Sequence, residues 1–410
     1  MFQLALIGLV SLLSSMTVYG QTPCEGQKIS YAQVLKCVEE RSPAIQSALL
    51  EMERANANVG AAGQWRNPEL GLESFQGKVL SQSTSETDLT LAVPIEPGKI
   101  GARLRVANSG IRVAEALLYE ARATVRSEVM LKLHRLRQLL HEQEILDESI
   151  STFAKLVSQY SRRPKLSPEQ ELSTTVFRLA KSDYDLRKAT LNEELATLDS
   201  FFKLRTGRTV ETLIPSLPSA PKSWPKIEGS GSVEHSPRIR QLSAELEVAN
   251  AEVSLARSES WPTVSVGPSV KLVNEGGRAD QLYGVNLSLP LPLFNANGAG
   301  RRAAQAGAKV SETKKSFGLL EEENRRAELV RIYDQSVAAL NSTQSHPEIE
   351  KRHHEAERQF MRGLVPSSLV IEAHRTFVDL EQSRHQRELR AIEAWLGIYT
   401  LDGQILEKSL

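Results

Sequence analysis

Residues 89–103 read LTLAVPIEPGKIGAR, and residues 285–302 read VNLSLPLPLFNANGAGRR. In both stretches, apolar side chains occupy every second position up to a proline, Pro94 in the first and Pro290 in the second. A period of two over about ten residues predicts a β-strand with one apolar face. A long helical segment is predicted to follow each stretch. The chain therefore contains the same strand-to-helix junction twice.

The two junctions belong to a longer duplication. SPAIQSALLEMERANANVGAAGQWRNPELGLE from Ser42 aligns with SPRIRQLSAELEVANAEVSLARSESWPTVSVG from Ser236, an offset of 194 residues, and the junctions align at 196. A nearly constant offset along the chain indicates duplication rather than chance similarity. The segment between the copies is rich in proline, which predicts a linker. We expect repeat 1 at 21–211, the linker at 212–231 and repeat 2 at 232–410.

Each repeat has the same predicted order of elements. An amphipathic helix opens it, at about 30–63 or 235–258, and two strands follow. The strands cover 70–72 and 89–95 in repeat 1, and 264–272 and 285–291 in repeat 2. An antiparallel pair of long helices completes the repeat, at 101–160 and about 168–205, then at 299–361 and 367–400. A break is expected at His346-Pro347, since proline interrupts helices.

The first long helix carries a coiled-coil seam. Apolar residues recur there at alternating spacings of four and three, at Leu146, Ile150, Phe153, Val157 and Tyr160. Because no proline interrupts 101–160, this segment is predicted to form a rod of roughly 90 Å.

The strands raise a question of assembly. A soluble sandwich and an outer-membrane sheet both fit the alternation, and a predicted export signal favours the membrane. We expect Leu89, Leu91, Leu287 and Leu289 to face lipid in that case. An open sheet edge cannot lie in lipid, so four strands cannot close a barrel alone. Two copies of the chain would supply eight strands and three copies would supply twelve.

Composition narrows the function classes. The chain has 410 residues, with 50 Lys and Arg balancing 50 Asp and Glu, so nothing in the overall charge favours nucleic acid. Residues 1–20 contain a short apolar stretch typical of a signal peptide. The chain has two cysteines, Cys24 and Cys37. They either form a disulfide or stay unpaired, and a third alternative is a lipid attached to Cys24. Pro23 does not suit lipidation, so we predict an unmodified mature chain starting near Gln21.

Together, the export signal, the duplication and the stretches NPELGLE, LTLAVPIEPGKIGAR and LSLPLPLFNANGAGRRAAQA resemble the TolC-like outer-membrane efflux proteins. The CzcC-like branch, from heavy-metal cation efflux systems, is the most similar. The resemblance implies a mainly α fold with a small β part. It also implies a homotrimer in which a twelve-stranded outer-membrane β-barrel continues into a periplasmic α-helical barrel. Such a duct joins an inner-membrane resistance-nodulation-division pump through a periplasmic adaptor protein, and exports divalent metal cations or drugs.

The resemblance also marks a turn between helices. MRGLVPSSLVIEAH, from Met361, matches the family's periplasmic tip at Arg362, Gly363, Leu364, Pro366 and Ser367. Glycine permits a left-handed turn, and Ser367 is expected to cap the following helix. The turn either contacts the adaptor or is an ordinary hairpin turn, and an exposed leucine favours contact. In repeat 1, RRPKL at 162–166 replaces the glycine, which weakens the expectation there.

No catalytic, cofactor or metal site is predicted. Nucleophile elbows, phosphate loops and HExxH patterns are absent from the sequence. His353 and His354 are expected on a solvated helix face, because the spacing brings no three ligands clearly together, and a transient cation site is the alternative. His134 and His141 are expected at the surface or in the seam. A periplasmic coiled-coil tether that never inserts remains the second functional hypothesis.

Overall fold

The computed structural model describes residues 29–79, 82–229, 231–275, 277–343 and 346–408. The predicted signal peptide and Cys24 lie outside the described residues, so the pairing of Cys24 with Cys37 stays a prediction. Cys37 itself is buried in the first helix. None of the described helices combines the length and the apolar composition that a bilayer-spanning helix needs.

Both repeats follow the predicted order of elements. In repeat 1 these are α1 (Tyr31–Arg41), α2 (Pro43–Ala62), β1 (Glu69–Val79), β2 (Gln82–Ile95), α3 (Lys99–Ser161) and α4 (Pro168–Thr206). A short α5 (Val210–Leu213) and a 3-10 turn (Ile214–Ser216) lead into the linker. In repeat 2 they are α6 (Pro237–Ser258), β3 (Val264–Glu275), β4 (Arg278–Ser288), α7 (Gly298–Ser342), α8 (His346–Met361) and α9 (Ser367–Leu401).

The opening helix of repeat 1 is divided, although the sequence predicted one helix over 30–63. Ser42 is extended, with ψ 120°, because a residue before proline is disfavoured in the helical region. Pro43 then starts α2 at a position where its missing N–H is not needed. The predicted break in repeat 2 is confirmed, since α7 ends at Ser342 and α8 begins at His346.

The long helix α3 forms the spine of the chain. Its 63 residues correspond to a rod of roughly 95 Å. In the predicted seam, Leu146 and Phe153 are fully buried, and the other three seam residues are half-buried against the same core. Phe153 contacts Phe177 and Tyr184 of α4 and His374 of α9. The seam is therefore buried, as its periodicity predicted, and the structure shows that it packs against helices of both repeats.

In the part of the chain that the structure describes, one antiparallel sheet joins the repeats, in the order β1-β2-β3-β4. Strand β2 of repeat 1 pairs with β3 of repeat 2, with Leu89 opposite Val270 and Val93 opposite Val266. Gly267 lies at this junction, and a Cβ atom there would lie 1.6 Å from the carbonyl oxygen of Leu91. Only glycine fits so close to a neighbouring backbone, so this residue supports the join between repeats.

The linker packs against repeat 2 instead of running free over the surface. Trp224 contacts the rings of Tyr333 and Trp395, and the Tyr333 hydroxyl donates a hydrogen bond to the Pro225 carbonyl at 2.7 Å. The buried Arg326 guanidinium donates to Asp402 at 2.7 Å and 3.2 Å. It also donates to the carbonyls of Glu228 and Gly229. One arginine thus ties the linker to α7 and to the end of α9.

Replacing Arg326 with Met is expected to lower the free energy of unfolding by about 3–5 kcal/mol. The substitution leaves the Asp402 carboxylate and two linker carbonyls without their shared donor, and breaking a buried ion pair costs about that much. Thermal or denaturant unfolding of the protein would measure the change. The exposed neighbour offers a control, since Arg325→Met should stay within about 0.5 kcal/mol. Equal effects of the two substitutions would contradict this role.

Candidate functional site

The two turns between long helices, one in each repeat, lie side by side at one end of the folded molecule. The hydroxyl oxygens of Ser173 on α4 and Ser367 on α9 are 3.0 Å apart. A groove of about 340 Å³ between the turns is lined by residues from both repeats. The matched tip residues of repeat 2 therefore belong to a composite end surface, which we call the tip.

The repeat 2 turn has the predicted left-handed glycine. Gly363 has a φ of 73°, and its N–H donates to the Phe360 carbonyl at 2.7 Å. The Leu364 N–H donates to the Gln359 carbonyl at 3.0 Å. These two bonds form the Schellman motif that ends helices at glycine. These bonds pair the backbone groups of the turn, and the Leu364 side chain is 66% exposed.

The prediction that Ser367 caps α9 is wrong. The N-cap residue is Pro366, and Ser367 is the first helical residue, with its hydroxyl against Ser173 instead. A serine cap exists in repeat 1, where Ser167 accepts a hydrogen bond from the Gln170 N–H. The Ser167 N–H in turn donates to the side-chain oxygen of Gln170, which completes a capping box. The spacing of Ser167 and Gln170 carried that signal in the sequence.

The repeat 1 turn differs in shape as well as in sequence. Arg162, the C-cap residue after α3, has right-handed helical angles. Leu166 is half-buried, whereas Leu364 is exposed. The two turns of the tip therefore present different surfaces, and the leucine of the repeat 2 turn is the more exposed of the two.

The sheet has one apolar face. By strand alternation and register, this face carries Leu70 and Leu72 on β1, Leu89, Leu91 and Val93 on β2, Val266, Val270 and Leu272 on β3, and Tyr283, Val285 and Leu287 on β4. Most of these side chains are exposed, Leu287 to 67%. On the opposite face, the Lys271 ammonium pairs with Glu86 at 2.7 Å. An exposed apolar surface this large indicates an interaction site.

The four predicted lipid-facing leucines are all exposed. Leu89 and Leu91 are 43% and 41% exposed, and Leu287 and Leu289 are 67% and 48% exposed. Leu289 lies one residue beyond β4, so the strand is shorter than its alternation suggested. Within the described chain, β1 and β4 each pair on one side only, which leaves two free edges.

One histidine that was expected on a solvated helix face is buried in the structure. His353 on α8 is 4% exposed, so the solvated-face expectation is wrong for it. Its Nε2 lies 3.0 Å from Nδ1 of His374 on α9, which is fully buried. The His374 Nε2 lies 3.0 Å from a Glu357 carboxylate oxygen. The spacing of His353 and Glu357 was visible in the sequence, but the third member comes from another helix.

Burial and neighbouring charges set the pKa values of His353 and Glu357. Burial, together with the nearby His374, lowers the pKa of His353 to about 4. Burial alone would raise the pKa of Glu357, but a hydrogen bond with His374 and the other neighbouring histidines lower it to about 2. The carboxylate is therefore ionised and His353 is neutral at physiological pH.

A second polar group lies on the same side of α3. His385 Nδ1 is 2.8 Å from the Glu142 carboxylate, which also accepts a hydrogen bond from Arg135 at 2.8 Å. His141 Nδ1 is 3.3 Å from His385 Nε2. His134 is 2% exposed, so of the two predicted places, surface or seam, the structure excludes the surface.

His134 is expected to make the fold less stable in acid. Neither of its ring nitrogens has a hydrogen-bond partner among the described residues, and burial lowers its pKa from 6.5 to about 3. Below pH 6.5 the unfolded chain binds more protons than the folded chain, so stability falls as pH falls. The loss between pH 7.5 and pH 5 is about 2 kcal/mol for this residue. His134→Leu should flatten the dependence of the unfolding midpoint on pH, and an unchanged slope would contradict the assignment.

The chain is similar in sequence to two bacterial metal-resistance proteins. No protein-family model matches it. The cobalt-zinc-cadmium resistance protein CzcC of Cupriavidus metallidurans is 26% identical over 265 residues, which are 62% of this chain and 60% of that protein. The nickel-cobalt-cadmium resistance protein NccC of Alcaligenes xylosoxydans xylosoxydans is 23% identical over 68% of this chain and 66% of its own length. The matches span less than two thirds of either relative.

Solved structures share the fold over almost the whole chain. The outer-membrane channel OprN superposes with a TM-score of 0.72 at 17% identity, covering 91% of this chain and 89% of that one. CusC, whose structure is described in terms of transmembrane channel formation, gives 0.70 at 15% identity, with 94% and 95% covered. The outer-membrane protein VceC of Vibrio cholerae gives 0.67 at 17% identity, with 91% and 96% covered. The chain therefore has the fold of these outer-membrane channels and is similar in sequence to the metal-resistance proteins CzcC and NccC.

Proposed function

We propose that the chain is the outer-membrane exit duct of a tripartite efflux system. The observation that carries the proposal is the exposed apolar face of a four-stranded sheet with two free edges. Such a sheet is stable in lipid only when its edges are paired in a closed barrel. The functional unit is then a homotrimer, in which β4 of one copy pairs with β1 of the next to close twelve strands.

The helices supply the second half of the duct. Helix α3 extends roughly 95 Å and packs with α4 and α9 into a continuous wall. Three chains bring six helical hairpins around one axis, enough to enclose a tunnel through the periplasm. The duct is therefore placed in the bacterial outer membrane, with the tip directed to the periplasmic partners.

The partners follow from that placement. A periplasmic adaptor contacts the tip through Arg362, Gly363, Leu364, Pro366 and Ser367, and the adaptor connects the duct to an inner-membrane resistance-nodulation-division pump. The cargo is divalent metal cations or drugs, and the names of CzcC and NccC, which refer to resistance to cobalt, zinc, cadmium and nickel, support the cations. The duct transports without catalysis and needs no cofactor or nucleic acid.

Deletion of the gene, followed by growth in graded zinc, cobalt and cadmium, tests the function. We expect sensitisation to these metals, with smaller effects on dyes and detergents, and recovery when the gene is restored. The purified protein should have the mass of three chains in detergent. A monomer in the soluble periplasmic fraction, without a sensitivity change, would overturn the proposal in favour of the coiled-coil tether.

A further inference from the structure

We propose that His353, Glu357 and His374 form a binding site for one divalent transition-metal ion of the Zn²⁺ class, held between α8 and α9. The site lies within the folded chain and is separate from any question of cargo. It stands whether or not the chain exports metal.

The ligand atoms already converge. One nitrogen from each histidine and one carboxylate oxygen of Glu357 lie within 4.8 Å of one another. The His374 Nε2 is 3.0 Å and the His353 Nε2 is 3.9 Å from the same Glu357 oxygen. A tetrahedral ion with bonds of about 2.0–2.1 Å needs ligand atoms about 3.3 Å apart. Small rotations of the side chains would close the three ligands around an ion.

The donor set fits the chemistry of zinc. Two imidazole nitrogens and one carboxylate oxygen, with water in the fourth position, are an established zinc set, and imidazole also suits cobalt and nickel. The ligands must be neutral histidines and an ionised carboxylate.

Neighbouring groups orient the ligands. The Ser149 hydroxyl lies 3.1 Å from the His374 Nδ1, where it can accept the N–H of a histidine that binds metal through Nε2. The Thr152 hydroxyl donates to Glu357 at 3.3 Å. The ring of Phe377 stacks on His353 with centroids 4.7 Å apart. Both imidazole planes and the carboxylate are therefore held by contacts outside the ligand set.

The local charge favours a cation. Among the described residues, every group that pairs with Glu357 is a histidine or the Thr152 hydroxyl, so its negative charge is not neutralised by Lys or Arg. The other side-chain group that could hold a metal on α9 consists of His141, Glu381 and His385. It differs, because the Arg135 guanidinium binds the Glu142 carboxylate, which lies 2.8 Å from His385. A fixed positive charge there opposes a metal ion, which is why the proposal concerns the first group alone.

A metal ion at this place would fasten α8 to α9. Glu357 lies four residues before Met361, where α8 ends and the repeat 2 turn begins. Binding to the folded chain raises its stability by mass action. The tip and the metal site are thereby linked through a single turn of helix.

The test uses the full-length protein in detergent, with its purification tag removed. The protein is incubated with ZnCl₂ and dialysed, and the bound metal is counted by mass spectrometry. Co²⁺ serves as a second probe, because a four-coordinate ion gives a visible absorption band. We expect one ion per chain and a rise in the unfolding midpoint with Zn²⁺. Glu357→Gln and His374→Gln should each weaken binding at least tenfold and remove the Co²⁺ band.

Two controls locate the site. His354→Gln should keep the ion, although His354 neighbours His353 and lies 3.7 Å from Glu148 in an alternative ligand group. His141→Gln should also keep it. Loss of the ion in either control, or no zinc retained by the parent protein, would overturn the proposal. If His374→Gln fails to fold, Glu357→Gln decides the matter, since its amide keeps the size of the carboxylate.

Discussion

Replacing Leu364 with Asp is expected to abolish export while leaving the trimer and its membrane location intact. The Leu364 side chain is 66% exposed on a turn that its own backbone hydrogen bonds hold closed. Folding should therefore tolerate the change within about 0.5 kcal/mol, as at other surface positions. Docking of an apolar partner would desolvate the new carboxylate without pairing it, at a cost of several kcal/mol. Growth in zinc, cobalt and cadmium measures export.

The matched substitution in repeat 1 is Leu166→Asp. Leu166 is half-buried and its turn has no left-handed glycine, so it offers less apolar surface to an adaptor. We expect weaker loss of metal resistance than with Leu364→Asp when both variants form equal amounts of trimer. Normal resistance in Leu364→Asp would show that the turn does not dock the adaptor. Failure of that variant to assemble would show that Leu364 serves the fold.

Features encoded by local periodicity were predictable from the sequence. The alternation around Leu89 and Leu287 placed both leucines on one face of the sheet, and the structure confirms that face. The proline-free run and the seam at Phe153 predicted α3 within two residues at its start and one at its end. Gly363 was recognisable because only a left-handed residue ends a helix in this way.

Features that depend on contact between distant segments were not predictable. His374 joins His353 across two helices, and nothing in the spacing of either helix sets their relative height. The requirement for Gly267 arises from its approach to the Leu91 carbonyl on a strand from the other repeat. The prediction that Ser367 caps α9 was wrong for a related reason, because the Ser367 hydroxyl contacts Ser173 of the neighbouring hairpin.

Replacing Leu287 with Arg is expected to prevent stable insertion of the trimer into the outer membrane. Leu287 is 67% exposed and lies opposite Val266 on the apolar face. An arginine on the lipid face of a barrel strand costs about 2–4 kcal/mol at the bilayer midplane and less near the interfaces. A trimer carries the substitution three times, so the cost is tripled. The trimer recovered from outer-membrane fractions should fall sharply, and metal resistance should fall with it.

The adjacent residue provides a matched control for the same side chain on the same strand. Asn286 lies on the opposite face and pairs with Gly267, which has no side chain to obstruct a longer neighbour. Asn286→Arg points into the interior of the proposed barrel, where charge is tolerated, so trimer recovery should stay close to that of the parent protein. A strong loss with Leu287→Arg and little loss with Asn286→Arg requires lipid on one face only. Equal recovery of both variants from the soluble periplasm would favour the coiled-coil tether. In a sheet that does not enter the membrane, an arginine on either face avoids the cost of burial in lipid.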